Sequence, residues 1–386
     1  IGKLETMNTQ KHYSRRDFLK RSLLGLGGIV LLANNKPARM VKEFAYLEDF
    51  PDAEYLARNT VYSPNSLPLR MKPSPDATVV RNLGADECLA WLHEVVGAAP
   101  AGRPNNNRWV ETPEGYVYLP SVQKVRNIPN QPLSQIPSAN GSQGMWAEVT
   151  VPYVKMTLEN PPARAPWLND VTSDMWRIYY SQVVWIDQMS VDADGVVYYR
   201  VNEDYGHGYG YGDIFWAEAA AFRPITEEEI APIHPEITDK NIIVNVNQQT
   251  LSCYEGNSEV YFCRVSTGQK YDENGLPADE WATPVGDHWI WRKTVSLHMS
   301  GGGTGAGWDT MAIPWTSLFV GTGVSIHSTF WHNDFGSARS HGCVNASPDD
   351  AKWIFRWTTP AVSLYPGDVT SSDYSGTMVH VKEPLY

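Results

Sequence analysis

The 386-residue sequence gathers reactive side chains in one place. The stretch "HSTFWHNDFGSARSHGC" (327–343) holds three of the ten histidines, His327, His332 and His341, and one of the four cysteines, Cys343. Two chemistries use such residues. Imidazole nitrogens and a thiolate can ligate zinc, and an imidazole beside a thiol makes a cysteine nucleophile with its base. The spacing argues against a metal. His327 and His332 are five apart, which on a strand sends them to opposite faces. No second cysteine pair accompanies Cys343, and the spacing fits no familiar zinc pattern. For a nucleophile the surroundings are better. Cys343 follows Gly342, which permits a tight turn and leaves backbone N–H groups free to meet a substrate oxygen. His341 is too near in sequence to be assumed the base, whereas His327 ends a separate strand and can face the thiol across a cleft. The bland alternative is a polar rim that His327 and Cys343 merely fill.

The elements that must position these groups are mostly strands. "ASPDDAKWIFRW" opens a helix four residues after Cys343, with Ser347 as N-cap, Pro348 in the first turn and Asp350 in the reciprocal capping position. Ala351, Ile354 and Phe355 share one face of it, and its positive end adds a modest field near the thiol. Before it, "NIIVNVNQQTLSCYEGNSEVYFCRVSTG" reads as a hairpin. Ile242, Val244 and Val246 alternate, Gly256-Asn257 turns the chain, and Val260, Phe262 and Val265 follow. "TPVGDHWIWRK", "VSIHSTFW" and "GTMVHVK" supply further strands. Upstream, residues 61–126 and 175–225 each consist of short alternating runs between Gly, Pro, Asn and Asp turns. Trp109-Val110 followed by "GYVY" parallels Tyr199-Arg200-Val201 followed by "GDIFW", so the two stretches share an ending. Residues 127–144 read as a linker rich in Pro, Ser, Asn and Gly. The loop "DYGHGYGYGD" (204–213) reads as a hairpin tip, with aromatic stacking on a sugar or peptide as the alternative.

Composition agrees with a mainly β protein of two or three domains. Hydrophobic residues at 42% allow packed cores, while only 19% are charged and Gly, Pro, Trp and Tyr are abundant, which favours short strands and turns. A net charge of -12 argues against a nucleic-acid partner. Near the N-terminus, "SRRDFLK" precedes the twelve-residue apolar run "SLLGLGGIVLLA" (22–33), too short for a usual membrane span. The paired arginines resemble a twin-arginine export signal. Export to the periplasmic side of the membrane is therefore expected. "ANNKPARM" lacks a small-x-small cleavage site, which leaves the segment as a potential membrane anchor. In an exported chain Cys88, Cys253, Cys263 and Cys343 invite disulfides, and Cys253 with Cys263 flank the turn "EGNS"; that pairing is left open.

"SHGCVN" (340–345), preceded by His327 with twelve residues between it and Ser340, resembles the signature of L,D-transpeptidases with a YkuD-type catalytic domain. "IIVNVNQQTLSCYEG" resembles that family's opening hairpin, and "VSTG" (265–268) and "TPVG" (283–286) resemble two of its turns in their usual order. The likeness covers about residues 240–385; the spacing after His327 is short for the family, and His332 stands outside the signature. The upstream stretches resemble bacterial SH3-like modules. The implied fold is a YkuD-like β-sandwich with one main helix after the cysteine, preceded by two small SH3-like barrels. The implied boundaries are 1–40 for the signal or anchor, 41–144 and 145–238 for the modules, and 239–386 for the catalytic domain.

The resemblance also implies roles. Cys343 is the acylated nucleophile and His327 the general base and acid, oriented by the carbonyl of Ser328. His341, Gly342 and Cys343 offer backbone oxyanion donors, and Ser340 and Asn345 support the loop. Met299 or Trp308 takes a lid position, and Trp331 flanks the site. Ser328, Trp331, Ser340, Asn345 and Met299 are thus the expected substrate-side residues. The reaction implied is peptidoglycan cross-linking through a thioester, with release of terminal D-Ala from a stem peptide and no metal or cofactor. The partners are stem peptides and, through the modules, the cell wall. Rival readings are a papain-like wall peptidase, ill served because only His380 follows Cys343, and a wall-binding protein without activity. A sortase lacks its cysteine-then-arginine strand here.

Overall fold

The computed structural model describes residues 47–62, 67–103, 105–139, 141–170, 173, 176–205, 211–271, 275–301 and 308–384. The expected export signal and the tip of the 204–213 loop lie outside the described residues, as does the Trp308 side chain. The structure is mainly β. In the C-terminal region the chain runs through Lys240–Asn245 (β1), Thr250–Glu255 (β2), Ser258–Arg264 (β3), Gly286–Trp289 (β4), Arg292–Gly301 (β5), Trp308–Leu318 (β6), Ser325–Ser328 (β7) and Val344–Ala346 (β8). Helix α1 (Pro348–Trp357), Asp368–Thr370 (β9) and Met378–Lys382 (β10) complete it.

These strands form two five-stranded sheets, ordered β3-β2-β1-β10-β4 and β8-β7-β6-β5-β9. Two pairs are parallel, β1 with β10 and β7 with β8. Ile242, Val244, Leu251 and Val379 of one sheet share a single buried cluster with Val295, Trp315, Ile326 and Val344 of the other. Full burial of each such side chain contributes about 1.5–3 kcal/mol. Ile354 and Phe355 of α1 join the same cluster. The helix starts as its sequence predicts: Ser347 Oγ accepts from the Asp350 N–H at 3.2 Å, with Pro348 following. At its other end two lysines satisfy the carbonyls that a helix leaves open. Lys293 Nζ donates to Phe355 O at 2.6 Å and Thr358 O at 2.7 Å, and Lys240 Nζ to Trp357 O at 3.0 Å. Burial pulls the Lys293 ammonium well below the usual lysine range.

The expected hairpin is three strands. An extra reversal lies between β1 and β2, where Gln249 takes a φ of 56°. A register shift between Cys253 and Tyr254 then breaks the alternation read from the sequence. As a result Cys263 is buried while Phe262 is 57% exposed on the edge strand β3. Cys253 pairs with Tyr261 and Cys263 with Leu251, two residues out of step, and all four cysteines are free thiols.

Two further β units precede this region. The first joins a three-stranded and a five-stranded sheet around Leu69, Leu89, Val110 and Val117. The second is built on a six-stranded sheet that contains Met145–Val149, Val183–Val191, Val197–Asn202 and Ile214–Glu218. The shared ending seen in sequence has a shared shape. Gly115–Tyr118, the 3-10 turn Leu119–Ser121 and Val122–Val125 in one unit match Ile214–Glu218, the 3-10 turn Ala219–Ala221 and Phe222–Pro224 in the other. The 127–144 segment is docked rather than free: Leu133 N donates to the Tyr199 hydroxyl at 2.7 Å, and Ile136 is buried in the second unit's core.

Both units press on the segment between β7 and β8. Arg58 Nη2 donates to Phe330 O at 2.6 Å, and Tyr179 stacks on the Phe330 ring at 5.3 Å. Asn333 N donates to Pro120 O at 3.1 Å. The buried Asp334 carboxylate accepts from Arg103, Asn106 and, at 3.3 Å, Arg339. Arg58 is itself buried against Asp86, which also binds Arg177 of the second unit at 2.5 Å.

Candidate active site

The parallel pair β7/β8 brings the reactive groups together. Its register sets Ile326 beside Val344 and His327 beside Asn345, so Cys343, one residue before β8, arrives next to Ser325. Cys343 Sγ lies 3.6 Å from Ser325 Oγ. The thiol is half-buried, whereas the His327 residue is only 2% exposed. His327 Nδ1 donates to Ser328 O at 2.8 Å, the contact expected from the sequence. That bond fixes the tautomer and leaves Nε2 with its lone pair for the thiol. The Trp331 ring stands 5.8 Å from the imidazole.

Burial acts on the Cys343 thiol to push it up, but hydrogen bonding to His327, that residue's charge and Ser325 outweigh it. The net shift is below the ordinary thiol value. The other three cysteines go the opposite way. Burial raises Cys88 to about 12 and drives Cys253 and Cys263 higher still. One thiol in the chain is therefore both reachable and disposed to ionise.

The loop carrying Cys343 is braced from several sides. Ser340 Oγ donates to Cys343 O at 2.5 Å and accepts from Gly342 N–H at 3.1 Å. Gly342 adopts a φ of +122°, a conformation that side chains disfavour. The Gly342 N–H is thus engaged internally, which removes it from the set of expected oxyanion donors in this conformation. The Cys343 N–H has no acceptor among the described residues. "VSTG" runs alongside: Ser266 exchanges two backbone bonds with Asn345 at 2.8 and 2.9 Å, Ser340 N donates to Thr267 O at 3.1 Å, and Gln269 N donates to Ser340 O at 2.9 Å. The first residue of "TPVG" ties in as well, Thr283 Oγ1 donating to Gly342 O at 2.8 Å. The His341 ring packs edge-on against Trp281 at 4.5 Å, and burial lowers its pKa.

His332 is occupied elsewhere. Its Nδ1 accepts from Asp334 N–H at 3.1 Å, so the proton sits on Nε2, which faces the Asn345 amide at 3.0 Å. Asn345 Oδ1 otherwise lacks a partner, so the amide is read with that oxygen toward His332. Burial holds His332 neutral. No group of three His, Cys, Asp or Glu side chains suited to a metal occurs among the described residues.

Of the expected substrate-side residues, Ser328, Ser340 and Asn345 are buried, so as placed they brace the loop from within. Trp331 is half-buried beside the imidazole. Met299 sits on β5 opposite Thr310, and the hydrogen bonds and ring contacts of Cys343 and His327 do not include it. Two site residues escaped the sequence reading. Ser325 is two positions before His327, so strand periodicity alone could have placed it on the same face. Thr283 opens the "TPVG" turn, but nothing local in the sequence signals its bond to Gly342, which spans 59 residues. A cavity of about 480 Å³ is lined by Arg103, Lys270, Tyr271, Thr283 and Ser337 among others. Cys343 and His327 are not in its wall, so the thiol–imidazole geometry, not this cavity, locates the site.

Residues 239–381 match the YkuD family, the L,D-transpeptidase catalytic domain. Solved structures similar to the chain include an Enterococcus faecium L,D-transpeptidase in a cysteine-to-serine mutant form, 21% identical over 39% of this chain and 52% of that one, with a TM-score of 0.28. The chain thus spans about half the length of that protein. The catalytic domain of the E. faecium enzyme is 21% identical over 38% and 98%, with a TM-score of 0.28. An L,D-transpeptidase from Mycobacterium smegmatis is 16% identical over 52% and 89%, with a TM-score of 0.30. No curated protein matches the chain.

Proposed function

With residues 239–381 as a YkuD-type L,D-transpeptidase catalytic domain, we propose that the protein cross-links peptidoglycan by acyl transfer through Cys343. The observation that carries this is a half-exposed thiol that the β7/β8 register sets on the strand end bearing a buried imidazole, whose Nδ1 is tied to Ser328 O. His327 Nε2 takes the thiol proton as sulfur attacks the carbonyl between the L-centred third stem residue and terminal D-Ala. The oxyanion meets the Cys343 N–H. When the tetrahedral centre collapses, the C–N bond breaks, His327 returns the proton to the departing D-Ala amine, and a thioester remains. The amine of a neighbouring stem's third residue then attacks. His327 accepts its proton, and the sulfur leaves and recovers it.

The test is acylation by a carbapenem, read as a mass increase of the intact protein. Wild type should gain one adduct and Cys343→Ala none; an adduct on the mutant would overturn the assignment. The upstream units, as SH3-like modules, hold the cell wall in this proposal, and the twin-arginine segment carries the chain out of the cytoplasm. Sedimentation with purified sacculi and fractionation of cells bearing an Arg15→Lys, Arg16→Lys change test these two points.

A further inference from the structure

We infer that Thr283 is a positioning residue which aims the oxyanion donor, through the peptide that joins Gly342 to Cys343. The inference deepens the acyl-transfer reading and rests on it. Thr283 Oγ1 accepts from Gly268 N–H at 2.8 Å. A hydroxyl has one proton to give, and with an amide already donating to the oxygen, that proton goes to Gly342 O, also at 2.8 Å. The Gly342 carbonyl and the Cys343 N–H belong to one planar trans peptide and point in opposite directions. Fixing the carbonyl therefore fixes the N–H. Withdrawing electron density at the carbonyl oxygen also makes that N–H a stronger donor. The amide so aimed is the one that finds no acceptor among the described residues.

The anchor is rigid. Thr283 is buried. A Cβ on Gly268 would come within 2.0 Å of Trp281 O and 2.6 Å of Thr283 N, so only glycine allows this approach. Gly342 meanwhile has its N–H bound to Ser340 Oγ, so the peptide on its other side is restrained too. Ser340 holds one end of the turn and Thr283 the other, while the register of β7 with β8, to which the Thr283 hydroxyl makes no bond, sets the thiol beside the imidazole. The geometry thus separates two tasks: ionising the sulfur, and receiving the charge that forms on the substrate.

That separation is testable. Thr283→Val removes the hydroxyl at nearly constant volume and should slow carbapenem acylation at least about tenfold, since losing one oxyanion donor outright costs about 100- to 1000-fold. Thr283→Ser keeps the hydroxyl and should stay within about threefold of wild type. Iodoacetamide alkylation of Cys343 forms no oxyanion, so its rate and pH profile should be unchanged in both variants. Wild-type acylation in Thr283→Val overturns the inference. So does a parallel loss of acylation and alkylation, which would mean general loosening of the loop. If Thr283→Val does not fold, Thr283→Ala is read by the same criteria. Cys343→Ala is the separate control: acylation persisting there defeats the catalytic assignment itself, whatever Thr283 variants do.

Discussion

Two opposing influences meet at Cys343. Burial disfavours its thiolate, and His327 with Ser325 favours it more. The alkylation rate of the wild-type enzyme should therefore climb with pH through a midpoint below the ordinary thiol value of about 8.5. In His327→Gln the imidazole is gone and burial prevails, so the midpoint should move above that value and the rate at neutral pH should fall at least about tenfold. A pH–rate series with iodoacetamide on both proteins checks it; an unmoved midpoint would show that the two side chains are not coupled. The cysteine and its histidine were legible in sequence because the signature and the strand end name them directly. Ser325 follows from the same strand, since a period of two puts it on the face of His327. The turn that opens with Thr283 was legible through the resemblance, but its bond to Gly342 and the neutral, hydrogen-bonded state of His332 were not, because both depend on partners brought in by the fold.

Among the elements, α1 was the most readable, since its N-cap, its proline and its apolar face are all local in sequence. Ser347→Ala removes the hydroxyl bonded to Asp350 N and should cost about 1 kcal/mol. The measurement is a lowered melting temperature of the C-terminal region, with the Cys343 alkylation rate at 25 °C nearly unchanged. What seals the other end, Lys293 and Lys240, could not be read, because lysines are rarely buried and their carbonyl partners lie more than 60 residues away. Strand β6 was missed for a different reason. It carries Pro314 in mid-strand, and Ala312 and Trp315 both have φ of 56°, so neither propensity nor alternation marks it. The β2/β3 bulge likewise reversed the face assigned to Phe262.

For the molecule as a whole, the upstream units are packed onto the segment that separates base from nucleophile. Asp334 ties the first of them to it, and Asp334→Asn would leave Arg103 and Arg339 facing a neutral amide. The cost should be about 2–4 kcal/mol, seen as earlier unfolding in urea, with acylation slowed as the loop loosens. A second junction is sensitive to pH. His298 on β5 sits between Glu203 of the second unit and Asp309 of β6, 2.6 Å from the latter, with the Tyr211 ring edge-on to it. Burial lowers its pKa, the two carboxylates raise it more, and the net shift is upward. A raised pKa means the junction contributes its full stability below the unfolded value of about 6.5 and loses it as pH climbs through the folded value. Wild type should therefore melt progressively lower across that upper range, while His298→Gln should show a flatter dependence. Finally, side-by-side strands that run in the same direction cannot be joined by a short turn. Residues 329–343 have to travel the length of β7 and come back before β8 can begin. Topology thus sets a minimum for their number, and trimming that excursion by more than a few residues should pull the two strands apart before it alters any reactive atom.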